Sequence, residues 1–258
     1  MGRCVTWRVA GASVVGTSHL ETGRLCEDSC WAELEVVAGH APVLSIVVSD
    51  GAGSASHGGS GASLAVEAAA KYVADSLLSG TADLDALVSD CVGAVRRAIR
   101  ERATRDNLAL RDFACTLLLV VSTQESTAVC QIGDGAAVVD MGTGLEVAVV
   151  PMSGEYANMT HFVTDDDAEA VAVTKVYPGP VDRVAVFSDG LQRLALDMAA
   201  NKPHAPFFDP FFKVLASSTE GQQDALVNAL VEFLQSPAVN ARTDDDKTLA
   251  LATRVPQA

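Results

Sequence analysis

The sequence predicts an α+β layered domain, and three observations carry that expectation. Strand-sized apolar runs fall into groups with no regular alternation of strand and helix, which argues against a doubly wound parallel sheet. Two long segments between those groups place their apolar residues on one side at helical spacing, as helices packed on a sheet do. The internal Pro- and Gly-containing stretches are too short to separate two domains. Residues 1–258 are therefore expected to form one domain, long enough to bury a sizeable core.

Residues 4–15 read as the first strand, and 30–38 and 42–49 as the next two, the last ending in Ser49-Asp50-Gly51. A Gly/Ser-rich stretch, 51–61, follows. Ala62, Ala65, Val66, Ala69 and Val73 then mark the apolar face of one helix. Leu84, Leu87, Val88, Cys91, Val95 and Ile99 mark a second, with Thr81 or Asp83 as its cap. Strand character returns at 113–121, 128–132, 136–140 and 145–150, and Gly142 to Gly144 form a hairpin tip. Residues 151–169 lack periodicity and read as a loop or flap. Residues 170–176 and 183–187 read as strands, 206–216 and 222–235 as helices, and 248–253 as the closing strand. On the last helix Leu226, Ala229, Leu230 and Phe233 share a face.

Composition excludes several functions. With 18 basic and 33 acidic residues the net charge is −15, which repels phosphate backbones, so nucleic acid is not an expected partner. The basic cluster Arg96, Arg97, Arg100, Arg102 and Arg105 reads as a solvated helix end. Apolar runs such as 43–48 and 116–121 are far below the ~20 residues a membrane span requires, and no secretory signal is expected. The cysteines at 4, 26, 30, 91, 115 and 130 lack metal-ligand spacing and disulfide-scaffold density. Reduced thiols in a cytoplasmic protein are expected.

The chemistry-bearing pattern is acidic. Asp50 and Asp189 each stand in Ser-Asp-Gly directly after an apolar strand, Asp245 directly precedes one, and Asp134 lies in Gly-Asp-Gly between two more. Glu27 and Asp28 precede the second strand. Taken singly, an Asp-Gly is a turn and Asp244 to Asp246 a solvated charge run. Repeated at strand ends, the carboxylates repel one another unless a cation neutralises them. Hard oxygen ligands then select Mg²⁺, Mn²⁺ or Ca²⁺ over zinc.

In order along nearly the whole chain, residues 16–28 (GTSHLETGRLCED), 47–65 (VVSDGAGSASHGGSGASLA), 115–117 (CTL), 132–136 (IGDGA), 186–191 (VFSDGL) and 245–249 (DDKTL) resemble the type 2C (PPM) metal-dependent serine/threonine protein phosphatases, in a compact bacterial branch. Residues 154–160 are similar to that branch too. The resemblance implies an αββα sandwich of two antiparallel sheets flanked by helices. It implies two Mn²⁺ or Mg²⁺ ions and room for a third: Asp50 bridging, Asp189 and Asp245 on the first ion with Asp28 through water, Glu27 and the Gly51 carbonyl on the second, and Asp134 with Asp189 on the third. A hydroxide held between the ions would attack phosphoserine or phosphothreonine in proteins, and a cognate kinase would be a partner. The family's phosphate-gripping arginine has its candidate in Arg24, one residue closer to the acidic pair than usual, with His19 to share or take that role. Ala52 stands where eukaryotic members carry a histidine, and His57 lies further along the loop. A pseudophosphatase that binds phosphoproteins without turnover is the alternative, and an enzyme for small phosphate esters a third reading.

Overall fold

The computed structural model describes residues 5–36, 41–81, 83–151, 160–219 and 221–256. Position 4 of the expected first strand, 37–38 of the second and 152–159 of the expected flap lie outside them.

Strand β1 (Val5–Val14) and the short helix α1 (Thr17–Thr22) lead into β2 (Asp28–Glu35) and β3 (Val43–Asp50). Helices α2 (Gly58–Leu78) and α3 (Leu84–Asp106) follow, then β4 (Leu117–Ser122), β5 (Ser126–Ile132), β6 (Ala136–Asp140) and β7 (Leu145–Val149). A single turn, α4 (Ala168–Val171), precedes β8 (Val173–Pro178) and β9 (Arg183–Phe187). After α5 (Gln192–Ala195), the two-residue strands β10 (Leu196–Asp197) and β11 (Lys202–Pro203) pair with each other. Helices α6 (Ala205–Ser217), α7 (Gln223–Leu234) and α8 (Pro237–Asn240) carry the chain to β12 (Lys247–Pro256).

Two five-stranded sheets result, ordered β1-β12-β9-β6-β7 and β2-β3-β4-β5-β8, with antiparallel pairing throughout. Alternate residues of β3 and β4 explain the layering. Val47, Leu117 and Leu119 pack under α2 and α3, while Ile46, Leu118 and Val120 meet Val184, Val186 and Ala250 of the other sheet. On the far side, Phe187, Leu249 and Leu251 pack against Phe208, Phe212 and Leu230 of α6 and α7. A strand covered on both faces reads as one continuous apolar run, which is why residues 43–48 show no polar alternation. The expected αββα sandwich is the observed one, in a single domain.

Four details differ from expectation. Helix α2 begins inside the stretch read as a loop, because close packing and not flexibility demands its glycines. A Cβ at Gly61 would lie 2.1 Å from the carbonyl oxygen of Phe113. Residues 110–113 form a 3₁₀ turn that buries Phe113 beneath α2 and α3, so β4 starts only at Leu117. Part of the expected strand 170–176 is the turn α4. On α7 the inward face is Leu226, Val227, Leu230, Val231 and Leu234. Ala229 is exposed, and Phe233 sits at the rim against Phe207 and Phe211.

Asp83 is the cap of α3, its Oδ1 accepting from the backbone N–H of Asp85 at 3.0 Å and Ala86 at 3.2 Å. The basic cluster on that helix is solvated except at one position. Arg96 is 7 % exposed, and its guanidinium donates to the carbonyls of Val163, at 2.9 Å, and Asp165. It thereby ties α3 to residues 160–165, which run beside the acidic end of the sheets. Replacing Arg96 with Met strands two carbonyls, so unfolding in urea is expected to show a loss of about 2 kcal/mol. A loss below about 0.5 kcal/mol would mean that water replaces the guanidinium.

Candidate metal centre

Antiparallel pairing brings the ends of distant segments together. Asp28, first in β2, sits directly opposite Asp50, last in β3. In the facing sheet Phe187, last in β9, pairs with Ala136 at the start of β6 and with Leu249 near the start of β12. Asp189, Asp134 and Asp245 therefore emerge at neighbouring positions.

The result is a cavity of about 230 Å³ lined by Asp50, Gly51, Asp134, Asp189, Asp245 and Asp246, together with His19, Ala52, Gly53, Ser54, Thr116, Thr160 and Phe162. Asp50 is anchored through its backbone: its N–H donates to Thr116 Oγ1 at 2.9 Å, and its carbonyl accepts from Thr116 N at 2.8 Å. Asp28 lies deeper, 8 % exposed, and its Oδ2 accepts from the hydroxyls of Ser188 at 2.7 Å and Thr248 at 2.8 Å. Asp134 Oδ2 accepts from Thr160 Oγ1 at 2.7 Å, so the described end of the expected flap does reach the cavity.

Burial and mutual repulsion hold these carboxyls far from their ordinary titration range. Burial raises Asp28 to about 7, outweighing the hydroxyls of Ser188 and Thr248 that lower it. Asp50 is pushed well above the usual value by burial and then by the charges of Asp28 and Asp189. Asp189 rises to about 6 through burial, with Asp134 and Asp245 adding to it. Asp28 Oδ1 and Asp189 Oδ1 are buried with no hydrogen-bond partner among the described residues. Stranded acceptors in an all-oxygen donor set fit a hard divalent cation.

Other expected site residues are placed differently. Glu27 turns its carboxylate to Arg24, Oε2 to Nη2 at 2.6 Å, and lines an adjoining cleft with Gly59, Ser60 and Ser63. Its carbonyl nonetheless accepts from Gly51 N at 3.1 Å, so its backbone borders the cavity. Arg24 also reaches the Gly53 carbonyl at 3.4 Å but does not line the cavity, whereas His19 does. His57 packs at a tilt against Phe113, ring centroids 5.3 Å apart, and lies outside the lining. His161, Asp165 and Asp167 form a separate group, in which Asp165 Oδ2 already accepts from Phe162 N at 2.8 Å.

A family model described as protein phosphatase 2C matches residues 15–235. The chain belongs to the protein phosphatase 2C family. Serine/threonine-protein phosphatase 3 of Escherichia coli (strain K12) is 49 % identical over 249 residues, covering 96 % of this chain and 98 % of that protein. Among solved structures, the catalytic domain of the serine threonine protein phosphatase PstP, in complex with two manganese ions, aligns with a TM-score of 0.64 at 18 % identity, over 97 % of this chain and 99 % of that one. RsbX in complex with magnesium aligns at 0.56 with 14 % identity, over 96 % and 95 %. The first of these relatives marks a phosphatase of the compact bacterial kind; the two structures share the fold.

Within this protein phosphatase 2C chain, one carboxylate of the cavity lining was not singled out by the sequence reading. Asp246 is 4 % exposed, its Oδ1 accepting from Gly16 N and its Oδ2 from Glu27 N, both at 2.6 Å. Its Oδ2 also lies 3.0 Å from His19 Nδ1. Its signals were its place in the segment 245–249 and in an acidic triplet, which composition alone assigns to solvent.

The raised carboxyls make stability depend on pH in a definite direction. A carboxyl lifted in the fold from its ordinary 3.8 to about 7 binds more protons folded than unfolded, so its ionisation costs stability as pH rises through that interval. In chelator-treated protein, Asp28→Asn is expected to melt increasingly above the parent as pH goes from about 4 to about 7. A melting difference that stays constant over that interval would contradict the assignment.

Proposed function

We propose that this chain hydrolyses phosphoserine and phosphothreonine in proteins, with two Mn²⁺ or Mg²⁺ ions, and a weaker third, held in the acidic cavity. The observation that carries the reading is the meeting of Asp28, Asp50 and Asp189 with two buried, unpartnered carboxylate oxygens. The 49 % identity to a protein named as a serine/threonine-protein phosphatase supports the substrate class. Asp50 would serve both ions, Asp189 and Asp245 would hold the first, and Asp28 would stand behind them. Glu27, exchanging its ion pair with Arg24 for a cation, would hold the second with the Gly51 carbonyl. Asp134, oriented by Thr160, would hold the third. Divalent cations there would supply a deprotonated water at neutral pH and would neutralise the charge on the phosphoryl oxygens.

The chain's own residues do the positioning. Thr116 fixes the Asp50 backbone from both sides, Ser188 and Thr248 hold one oxygen of Asp28, and Phe162 lines one wall of the cavity. The complete carboxylate set favours turnover over a binding-only role. Phosphorylated proteins and a cognate serine/threonine kinase are the partners this reading implies.

Purified protein is expected to hydrolyse p-nitrophenyl phosphate and a phosphoserine peptide with Mn²⁺, and to stop with chelator. Asp50→Asn should lower kcat on both by on the order of a thousandfold. Absence of metal-dependent turnover in a well-folded parent would leave the binding-only reading in its place.

A further inference from the structure

Among the described residues, the cavity is lined by carboxylates, hydroxyls, glycines and apolar groups, with a single side chain that carries an N–H: His19. Arginine and lysine are missing from that lining, and Arg24 lies outside it. His19 stands on α1, its side chain 12 % exposed. Its Nδ1 is buried 3.0 Å from Asp246 Oδ2 and makes no hydrogen bond among the described residues. Its Nε2 has no hydrogen-bond partner among the described residues. Asp246 cannot swing away, because Gly16 N and Glu27 N hold its two oxygens at 2.6 Å each. A Cβ at Gly190 would also lie 2.0 Å from the Asp246 carbonyl, so the backbone there is clamped as well. A fixed carboxylate behind one imidazole nitrogen restricts the ring's orientation and leaves the other nitrogen to work.

We infer that His19 is the proton donor to the leaving oxygen, and that Asp246 is the residue that positions it. The inference rests on the phosphatase reading above and deepens it. Hydrolysis of a phosphoserine expels an alkoxide, a poor leaving group without a proton. As water's oxygen bonds to phosphorus, the bond from phosphorus to the seryl oxygen breaks. The proton on His19 Nε2 moves to that oxygen, which departs as the neutral hydroxyl. The proton released by the attacking water passes to solvent, and solvent reprotonates the imidazole. Asp246 keeps its charge throughout.

The leaving group separates this role from phosphate gripping. p-Nitrophenolate leaves without protonation, whereas the seryl oxygen does not. His19→Gln and Asp246→Asn, assayed with Mn²⁺, should each lower kcat on a phosphoserine peptide by on the order of a hundredfold. Turnover of p-nitrophenyl phosphate should fall only several-fold, and the double variant should be no slower than the slower single one. Added imidazole should restore peptide turnover in His19→Ala. Mn²⁺ affinity by calorimetry and the melting temperature check loading and folding independently; if Asp246→Asn melts early, His19→Gln and the rescue decide. Equal losses on both substrates, or no loss on the peptide, would overturn the assignment. Failure of the parent on both substrates would instead remove the phosphatase reading beneath it.

Discussion

Repulsion among carboxylates crowded at one end of two packed sheets is the constraint on which the rest of this molecule turns. Water would screen those charges on an open surface. Here Asp28, Asp50 and Asp189 are largely withdrawn from solvent, and burial is the largest influence on each. The fold holds them there because the cores on either side of each sheet contribute far more than one acidic cluster costs. The unfavourable charge density is a stored capacity for binding cations, maintained by hydrophobic packing elsewhere.

That capacity needs rigid geometry, and the geometry comes from backbone approach. Gly16 lies where a Cβ would meet the Asp245 carbonyl carbon at 2.3 Å, and Gly51 where it would meet the Gly58 carbonyl carbon at 2.3 Å. Such contacts close the loop before β12 on the start of α1, and the end of β3 on the first turn of α2. Hydroxyls complete the frame: Ser188 and Thr248 on Asp28, Thr116 on the Asp50 backbone, and Thr160 on Asp134. Arg96 braces the last of these from within α3, by holding the carbonyls of Val163 and Asp165.

The layered architecture was legible because both sheets are sandwiched: unbroken apolar strands and one-sided helices can be satisfied only by covering layers. The aspartates at strand ends were legible for the same reason, since a strand's last residue inherits its position from the pairing. What the sequence hid was set by tertiary contacts. Helix α2 starts within a glycine stretch because Gly61 must pass Phe113, which no local pattern encodes. Arg96 looks like its exposed neighbours Arg97 and Arg100, and only the loop arriving from 160–165 makes it internal. Asp246 differs from Asp244 and Asp245 by direction alone: it points inward to Gly16, Glu27 and His19. Arg24 shows the converse, a residue whose expected partner was substrate phosphate and whose observed partner is Glu27.

Anomalous diffraction at the manganese edge, from crystals grown with Mn²⁺, addresses the central claim most directly. The account requires the strongest peaks among Asp50, Asp189 and Asp245, within bonding distance of the carboxylate oxygens. Manganese confined to His161, Asp165 and Asp167, with none beside Asp50, would contradict it.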